Sequence, residues 1–143
     1  MIDLAIVVLI LLGIVAVIDW KVKAIPSAFL TGLIFMTAMI HFYNFEMGVI
    51  SLAFGSLAFI YGWLLYEADF IGGLADVKVL TVIGLMITSV PMFFVFVLAT
   101  LLFGMTYKLT FRYLLKKHKY EEVPFIPPLY AVYVALWIIG GVA

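Results

Sequence analysis

The stretch Val79–Tyr107, "VLTVIGLMITSVPMFFVFVLATLLFGMTY", decides how many helices this chain of 143 residues forms. It is uncharged over its whole length. A membrane-spanning helix needs about 20 apolar residues, so the stretch is long for one crossing and short for two. The segment "TSVPM", Thr88–Met92, places a proline near its middle. One long helix and a tight hairpin of two helices both remain open on length alone.

Four further uncharged runs accompany this stretch, and each is a plausible single crossing of a membrane. They are Leu4–Ile18, Ala24–Phe45, Met47–Tyr66 and Val123–Ala143. A hydrophobic content of 68% and a mean hydropathy of +1.32 indicate a polytopic membrane protein. No basic residue precedes the first run, so we expect a retained transmembrane helix there and not a cleaved signal peptide.

The positive charges favour the hairpin. If the long stretch turns at Ser89–Pro91 and crosses twice, every basic residue lies on one side of the membrane. Cytoplasmic loops hold the excess of Lys and Arg, so that side is the cytoplasm. We therefore predict an all-α fold of six transmembrane helices with both termini outside, forming a single domain over residues 1–143 with no separate soluble domain. The eight basic residues are Lys21, Lys23, Lys78, Lys108, Arg112, Lys116, Lys117 and Lys119.

The composition excludes several kinds of chemistry. The chain has no cysteine, which rules out disulfides, thiolate metal sites and cysteine nucleophiles. Two histidines, His41 and His118, are too few for a histidine metal site, and we expect neither a metal nor another cofactor. Eight basic residues balance eight acidic ones, so no net charge indicates a nucleic-acid partner.

Two aspartates stand out in this apolar chain. Asp19 ends the first apolar segment in "VAVIDWKVKAIP", and Asp76 begins an apolar run in "DFIGGLADVKVL". Both precede the ambiguous stretch, so the topology puts both on the cytoplasmic side whichever way that stretch crosses. Two carboxyl groups in a partly dry site tend to share one proton. One can then take a proton from water while the other polarises a peptide carbonyl, which permits amide hydrolysis without a metal.

Other interpretations of these residues remain open at this point. An aspartate at a helix start is a common cap, and Glu67 or Asp69 can supply a carboxylate in place of Asp76. Buried carboxylates also serve proton relays in small carriers or channel subunits, which need polar residues continuing toward the outer face. The glycines at 72 and 73 permit close approach of a backbone, either from another helix or from an extended peptide.

Small residues recur along the third run at spacings of four, three and four. They are Ser51, Gly55, Ala58 and Gly62. This spacing places them on one face of a helix, where small side chains allow a neighbouring helix to approach closely. We interpret this face as a packing surface.

Three segments resemble a known family. "GGLADVKVL" looks like the GxGD-type signature of the type IV prepilin peptidases and archaeal preflagellin peptidases, with Ala75 in the place of the second glycine, as in the archaeal variant. "DWKVKAIP" is similar to the family's first aspartate segment, and "VPFIPPLY" resembles its PF-x-P element before the last helix. The segments occur in the family's order and together cover most of the chain.

The resemblance implies an intramembrane aspartic endopeptidase in the cell membrane. Such enzymes remove the basic, glycine-ending leader from prepilin or prearchaellin precursors at the cytoplasmic face. By this resemblance Asp19 and Asp76 are the catalytic pair, and Gly73 and Ala75 are signature positions. An inactive homologue would also retain both aspartates.

Two further expectations follow from the resemblance. Glu67 and Asp69 match no catalytic position of the family, and we expect them to attract the basic leader of the substrate through charge. Bacterial relatives often carry an extra cytoplasmic domain with paired cysteines and N-methyltransferase activity. This chain has no cysteine and only Asp19–Pro26 in the first cytoplasmic loop, so we expect cleavage without methylation.

Overall fold

The computed structural model describes residues 3–22, 27–43, 45–71, 73–113 and 126–140. These residues form six α-helices, and the described ranges contain no β-strand. The all-α prediction and the number of helices are therefore confirmed. The helices are α1 Leu4–Val22, α2 Ser27–Phe42, α3 Phe45–Glu67, α4 Leu74–Met86, α5 Val90–Tyr113 and α6 Ile126–Ile138.

Three of the six helices are long and apolar enough to cross a membrane. Their qualifying windows are Leu4–Lys21 in α1, Glu46–Glu67 in α3 and Val90–Thr110 in α5. The other three are shorter, with α4 and α6 having 13 residues each, or about 20 Å of helix. Phe35 and Met39 are among the large apolar side chains exposed on the surface, at 66% and 72%. An apolar surface of this extent fits association with a membrane, and six complete crossings remain a prediction.

The ambiguous stretch Val79–Tyr107 is divided between two helices. Helix α4 ends at Met86 and α5 begins at Val90, so the break falls at residues 87–89, slightly before the predicted turn. Pro91 is the second residue of α5, where the missing N–H of proline is not needed by the helix. The proline therefore starts the second helix of the pair and does not itself form the turn.

Helix α4 is the most buried element. Every residue from Val79 to Met86 is buried, and the helix packs against α2, α3 and α6. A helix that is apolar on all sides needs partners on all sides. The only charged residues of α4, Asp76 and Lys78, lie near its N-terminal end. The structure thus carries a charged segment at one end of its most enclosed helix.

The small residues of α3 pack directly against α4, as predicted. A Cβ atom added at Gly84 would overlap the Ala58 Cβ and lie 2.9 Å from the Phe54 carbonyl oxygen. The Ser51 hydroxyl donates a hydrogen bond of 2.7 Å to the Leu85 carbonyl. Small side chains on both helices permit this separation, and larger ones would force the two helices apart.

A polar contact joins α2, α3 and α4 at the far end of α4 from Asp76. Nδ1 of His41 lies 2.8 Å from the Ser51 hydroxyl oxygen, and both side chains are buried. The single hydroxyl hydrogen of Ser51 is given to the Leu85 carbonyl, so His41 must donate through Nδ1–H. His41 therefore has a structural contact at the end of the bundle away from the aspartates.

Candidate functional site

Asp19 and Asp76 lie at the same end of the helical bundle. Asp19 is in the last turn of α1, which extends slightly further than predicted, and Asp76 is in the first turn of α4. The Lys78 ammonium, near the start of α4, donates to the hydroxyl of Ser27, the first residue of α2. Only residues 23–26, which lie outside the described ranges, separate α1 from α2. The start of α4 thus lies at the end of the bundle where α2 begins, separated from the end of α1 by four residues.

Both aspartates are buried. Asp19 is 9% exposed and Asp76 is 7% exposed. Within the described ranges they are the only buried carboxylates, since the other described acidic residues are exposed. Burying a carboxyl group carries a desolvation cost that ordinary surface aspartates avoid. Two such groups at one end of an apolar bundle therefore make this the candidate site.

The start of α6 holds the Asp19 carboxylate. Oδ2 of Asp19 accepts a hydrogen bond of 3.1 Å from the backbone N–H of Ile126, the first residue of α6. Pro127 and Pro128 follow, and neither has an N–H. Ile126 is therefore the only one of the first three residues of α6 that can donate, and it donates to Asp19. A backbone donor at a helix N-terminus favours a carboxylate there.

This role of the double proline was not predictable from the sequence. The segment "IPP" was recognised only as part of a family element before the last helix. Two consecutive prolines at a helix start leave one N–H among its first three residues, which is the only sequence feature that draws attention to that N–H. The sequence does not show that the partner is Asp19, which precedes Ile126 by 107 positions.

Tyr107 is a second residue near Asp19 that the sequence did not indicate. It lies toward the C-terminal end of α5, and its hydroxyl oxygen is buried. The Asp19 carboxylate is close enough to interact electrostatically with this tyrosine. In the sequence Tyr107 only ends an uncharged run, which gives no sign of a functional role.

The backbone before Asp76 leaves open space beside Gly73. Gly73 is the N-cap residue of α4, so Asp76 itself is not the cap, and Ala75 lies partly buried between them. A Cβ atom added at Gly73 would meet nothing within 4 Å. The expected close approach of another helix is therefore absent at Gly73 among the described residues. Gly72 lies outside the described residues.

The other two acidic candidates differ from Asp76 in their burial. Glu67 and Asp69 are exposed at the end of α3. Asp69 has a positive φ of 57°, and the Phe70 N–H bonds the Leu65 carbonyl at 2.9 Å, as in a Schellman helix end. The Asp69 carbonyl also accepts a hydrogen bond of 3.1 Å from Lys108 on α5. Asp69 therefore has a structural part in ending α3, and its side chain remains on the surface.

Lys78 connects α4 to α2. Its ammonium donates to the Ser27 hydroxyl, to the Thr31 hydroxyl at 2.8 Å and to the Ser27 carbonyl at 3.4 Å. These bonds fix the segment that carries Asp76 against the first turn of α2. Lys78 is therefore a positioning residue in this arrangement.

Replacing Lys78 with methionine should lower the free energy of unfolding by about 1–2 kcal/mol, because charged hydrogen bonds to α2 are lost. Thermal unfolding in detergent, followed by circular dichroism, measures this change. Lys21→Met is the matched control, since Lys21 is exposed at the end of α1 and has no hydrogen bond within the described ranges. Equal loss of stability in the two variants would show that the α2–α4 contact contributes nothing.

The fold and the site define a class: an all-helical, membrane-associated protein with two buried carboxyl groups at one end of its bundle. Comparison with known families identifies the family within this class. The type IV leader peptidase family matches residues 6–109, more than half of the chain, and the chain belongs to this family. Membership makes the protein a peptidase, and the matched region contains both Asp19 and Asp76. No curated protein and no solved structure matches the chain.

Proposed function

We propose that the protein is an intramembrane aspartic endopeptidase whose catalytic pair is Asp19 and Asp76. Its substrates are prepilin or prearchaellin precursors, from which it removes a basic, glycine-ending leader. The observation that carries this proposal is that these two carboxylates alone are buried in the described ranges, at the same end of the bundle. The chain has no cysteine to act as a nucleophile, and a carboxyl pair can activate water for the attack instead.

The reaction uses a water molecule held between the two carboxyl groups. The ionised carboxyl takes a proton from the water, and the water oxygen bonds to the carbonyl carbon of the scissile peptide. The protonated carboxyl gives its proton to the carbonyl oxygen. Collapse of the tetrahedral intermediate breaks the C–N bond: the leaving amine takes the proton that the first carboxyl removed from water, and a hydroxyl of the intermediate returns a proton to the second carboxyl. The pair titrates as a unit, so the two roles belong to the pair and not to one residue each.

The charge at this end of the bundle supports a cytoplasmic site. Lys21, Lys78 and Lys108 are the lysine and arginine side chains that the structure describes, and all three lie toward the same end as the aspartates. Cytoplasmic ends of membrane proteins are enriched in such residues. Lys23, Lys116, Lys117 and Lys119 lie outside the described residues, and the side chain of Arg112 is not among the described ones.

A proton carrier is less well supported. Thr81 is the only polar residue in α4 between Lys78 and its C-terminal end, and its hydroxyl donates to the Val77 carbonyl at 2.9 Å. Helix α1 has no polar side chain between Leu4 and Ile18. A relay across the membrane needs polar groups in succession, and neither aspartate-bearing helix provides them.

Leader cleavage by the purified chain in liposomes tests the proposed function. Native protein should convert a prepilin-like or prearchaellin-like precursor to a faster-migrating product whose new N-terminus, read by sequencing, follows the leader glycine. A chelator should leave the rate unchanged, and added methyl donor should leave the new N-terminus unmethylated. Uncut precursors of both kinds, with the protein folded, would contradict the proposal.

The surface carboxylates should contribute to recognition of the leader. Neutralising Glu67 and Asp69 together, as Glu67→Gln and Asp69→Asn, should slow cleavage of a basic leader by about threefold to tenfold at low salt, with less effect at high salt. Asparagine tolerates the positive φ at position 69, so the end of α3 is preserved. The matched control is a precursor with a neutral leader, which should be cut equally by both proteins. Unchanged cleavage of the basic leader would show that Glu67 and Asp69 do not contribute to its recognition.

A further inference from the structure

A groove between α5 and α6 opens on the surface of the helical bundle. It has a volume of about 370 Å³ and is lined by Thr106, Tyr107, Thr110, Pro127, Pro128 and Ala131. Its rim toward the middle of α5 is formed by Phe103, an exposed aromatic side chain. The groove therefore combines an apolar rim with three hydroxyl groups.

This groove lies beside Asp19 of the candidate site. Tyr107 lines it and interacts electrostatically with Asp19. Pro127, on the opposite wall, follows Ile126, whose N–H is bonded to the Asp19 carboxylate. Residues on both walls of the groove are therefore neighbours of Asp19 or of the residue bonded to it.

Two of the hydroxyl groups in the groove have no partner in the described part of the chain. Thr31, Thr37 and Thr81 each donate to the carbonyl four positions earlier in their own helix, whereas the buried hydroxyl of Thr100 on α5 has no partner among the described residues. Thr106 and Thr110 are exposed on α5 and make no such bond among the described residues. Their hydroxyls, one helical turn apart, are available to a molecule that lies in the groove.

Cleavage of an apolar helix is helped by hydrogen-bonding groups of this kind, because the peptide must unwind before a carboxyl pair can reach its carbonyl. Unwinding frees N–H and C=O groups that are costly to leave unpaired in an apolar environment. A neighbouring groove between α1 and α6, lined by Gly13, Ala16, Val17, Trp20, Pro127 and Tyr130, offers one hydroxyl, and that one lies against Gly13. The α5–α6 groove meets the hydrogen-bonding need better.

We propose that the α5–α6 groove binds the apolar segment of the precursor next to the scissile bond, with Thr106 and Thr110 bonding its unwound backbone. This inference rests on the proposed function and specifies where the substrate lies. The basic leader then continues beyond the site toward the exposed carboxylates of Glu67 and Asp69.

Blocking the groove tests the proposal. Ala131→Trp places a large side chain at an exposed position in the groove and should reduce the cleavage rate at least tenfold. Gly32→Trp is the matched control, because Gly32 is an exposed helix position in a different groove, between α1 and α2, with nothing within 4 Å of an added Cβ. The Gly32→Trp protein should cleave the precursor at the native rate. Equal rates for Ala131→Trp and Gly32→Trp would overturn the proposal.

Removing the hydroxyls tests their part separately. Thr106→Val and Thr110→Val keep the side-chain shape, and each should slow cleavage about fivefold, the effect of one lost hydrogen bond. Thr31→Val is not a suitable control because Lys78 donates to that hydroxyl. Thr37→Val is suitable, since Thr37 is buried and bonded within its own helix. Native rates in both groove variants would overturn the assigned backbone contacts.

Photo-crosslinking separates a failure of this proposal from a failure of the proposed function. A photoreactive amino acid is placed at Thr106 or at Val17, in the α1–α6 groove, within a chain made inactive by Asp76→Asn. The precursor should crosslink at Thr106 through its apolar segment and not at Val17. Crosslinking at Val17 alone would overturn the groove assignment even if cleavage occurs. Crosslinking at Thr106 without cleavage by the native chain would support the groove and contradict the peptidase proposal.

Discussion

Asp19→Asn and Asp76→Asn should each abolish leader cleavage, lowering the rate by about 10²–10⁴-fold or more. Asparagine has nearly the size of aspartate and keeps an oxygen that can accept the Ile126 N–H, so the fold should persist. An amide can neither take a proton from water nor donate one to a peptide carbonyl as a carboxylic acid does. Initial rates on a precursor in liposomes, at equal protein amounts, measure the effect.

Asp69→Asn is the matched control for these variants. It makes the same chemical change seven residues before Asp76, at an exposed carboxylate whose backbone conformation asparagine also adopts. Its activity should stay within several-fold of the native rate. Full activity in Asp76→Asn would remove that residue from catalysis, and complete loss in Asp69→Asn would show that burial had selected the wrong carboxylate.

Gly84→Ala should be the most damaging single-methyl change in the bundle. The added Cβ would overlap the Ala58 Cβ and approach the Phe54 carbonyl, and backbone cannot rotate away as a flexible side chain can. Helices α3 and α4 must separate, which we expect to cost about 1–3 kcal/mol. The thermal midpoint in detergent, followed by circular dichroism, should fall accordingly.

The control for this change is Gly32→Ala. Position 32 is also a glycine within a helix, but an added Cβ meets nothing within 4 Å there. Alanine is the better helix former, so Gly32→Ala should be neutral or slightly stabilising. A Gly84→Ala protein as stable as Gly32→Ala would contradict the close packing of α3 on α4.

The number of helices was predictable from charge and from one proline. The lysines on both sides of Val79–Tyr107 favoured two helices there, and Pro91 marked the region of the break. The location of the break was less accurate, because a proline is accommodated in the first turn of a helix as readily as in a turn. The small residues of α3 identified its packing face because spacing alone fixes which residues share a face.

The two carboxylates of the site were predictable from the sequence, but the residues that surround them were not. Asp19 and Asp76 stood out because a charged residue in an apolar segment is costly and therefore indicates a function. Their neighbours Ile126 and Tyr107 come from helices far along the chain, and only tertiary packing brings them to Asp19. Ile126 acts through its backbone, which no side-chain pattern reveals. The role of Asp69 in ending α3 was also not predicted, since the sequence indicated only an electrostatic role for its carboxylate.

The central claim is that Asp19 and Asp76 belong to one site, and proximity crosslinking tests it most directly. The chain has no cysteine, so Asp19→Cys combined with Asp76→Cys gives a protein with only those two thiols. Treatment with a short thiol-specific linker, with precursor present, should join the two positions, as detected by mass spectrometry of the linked peptides. Asp19→Cys combined with Thr88→Cys, beyond the other end of α4, should not be joined. A folded protein in which positions 19 and 76 resist linking, with and without precursor, would contradict the shared site.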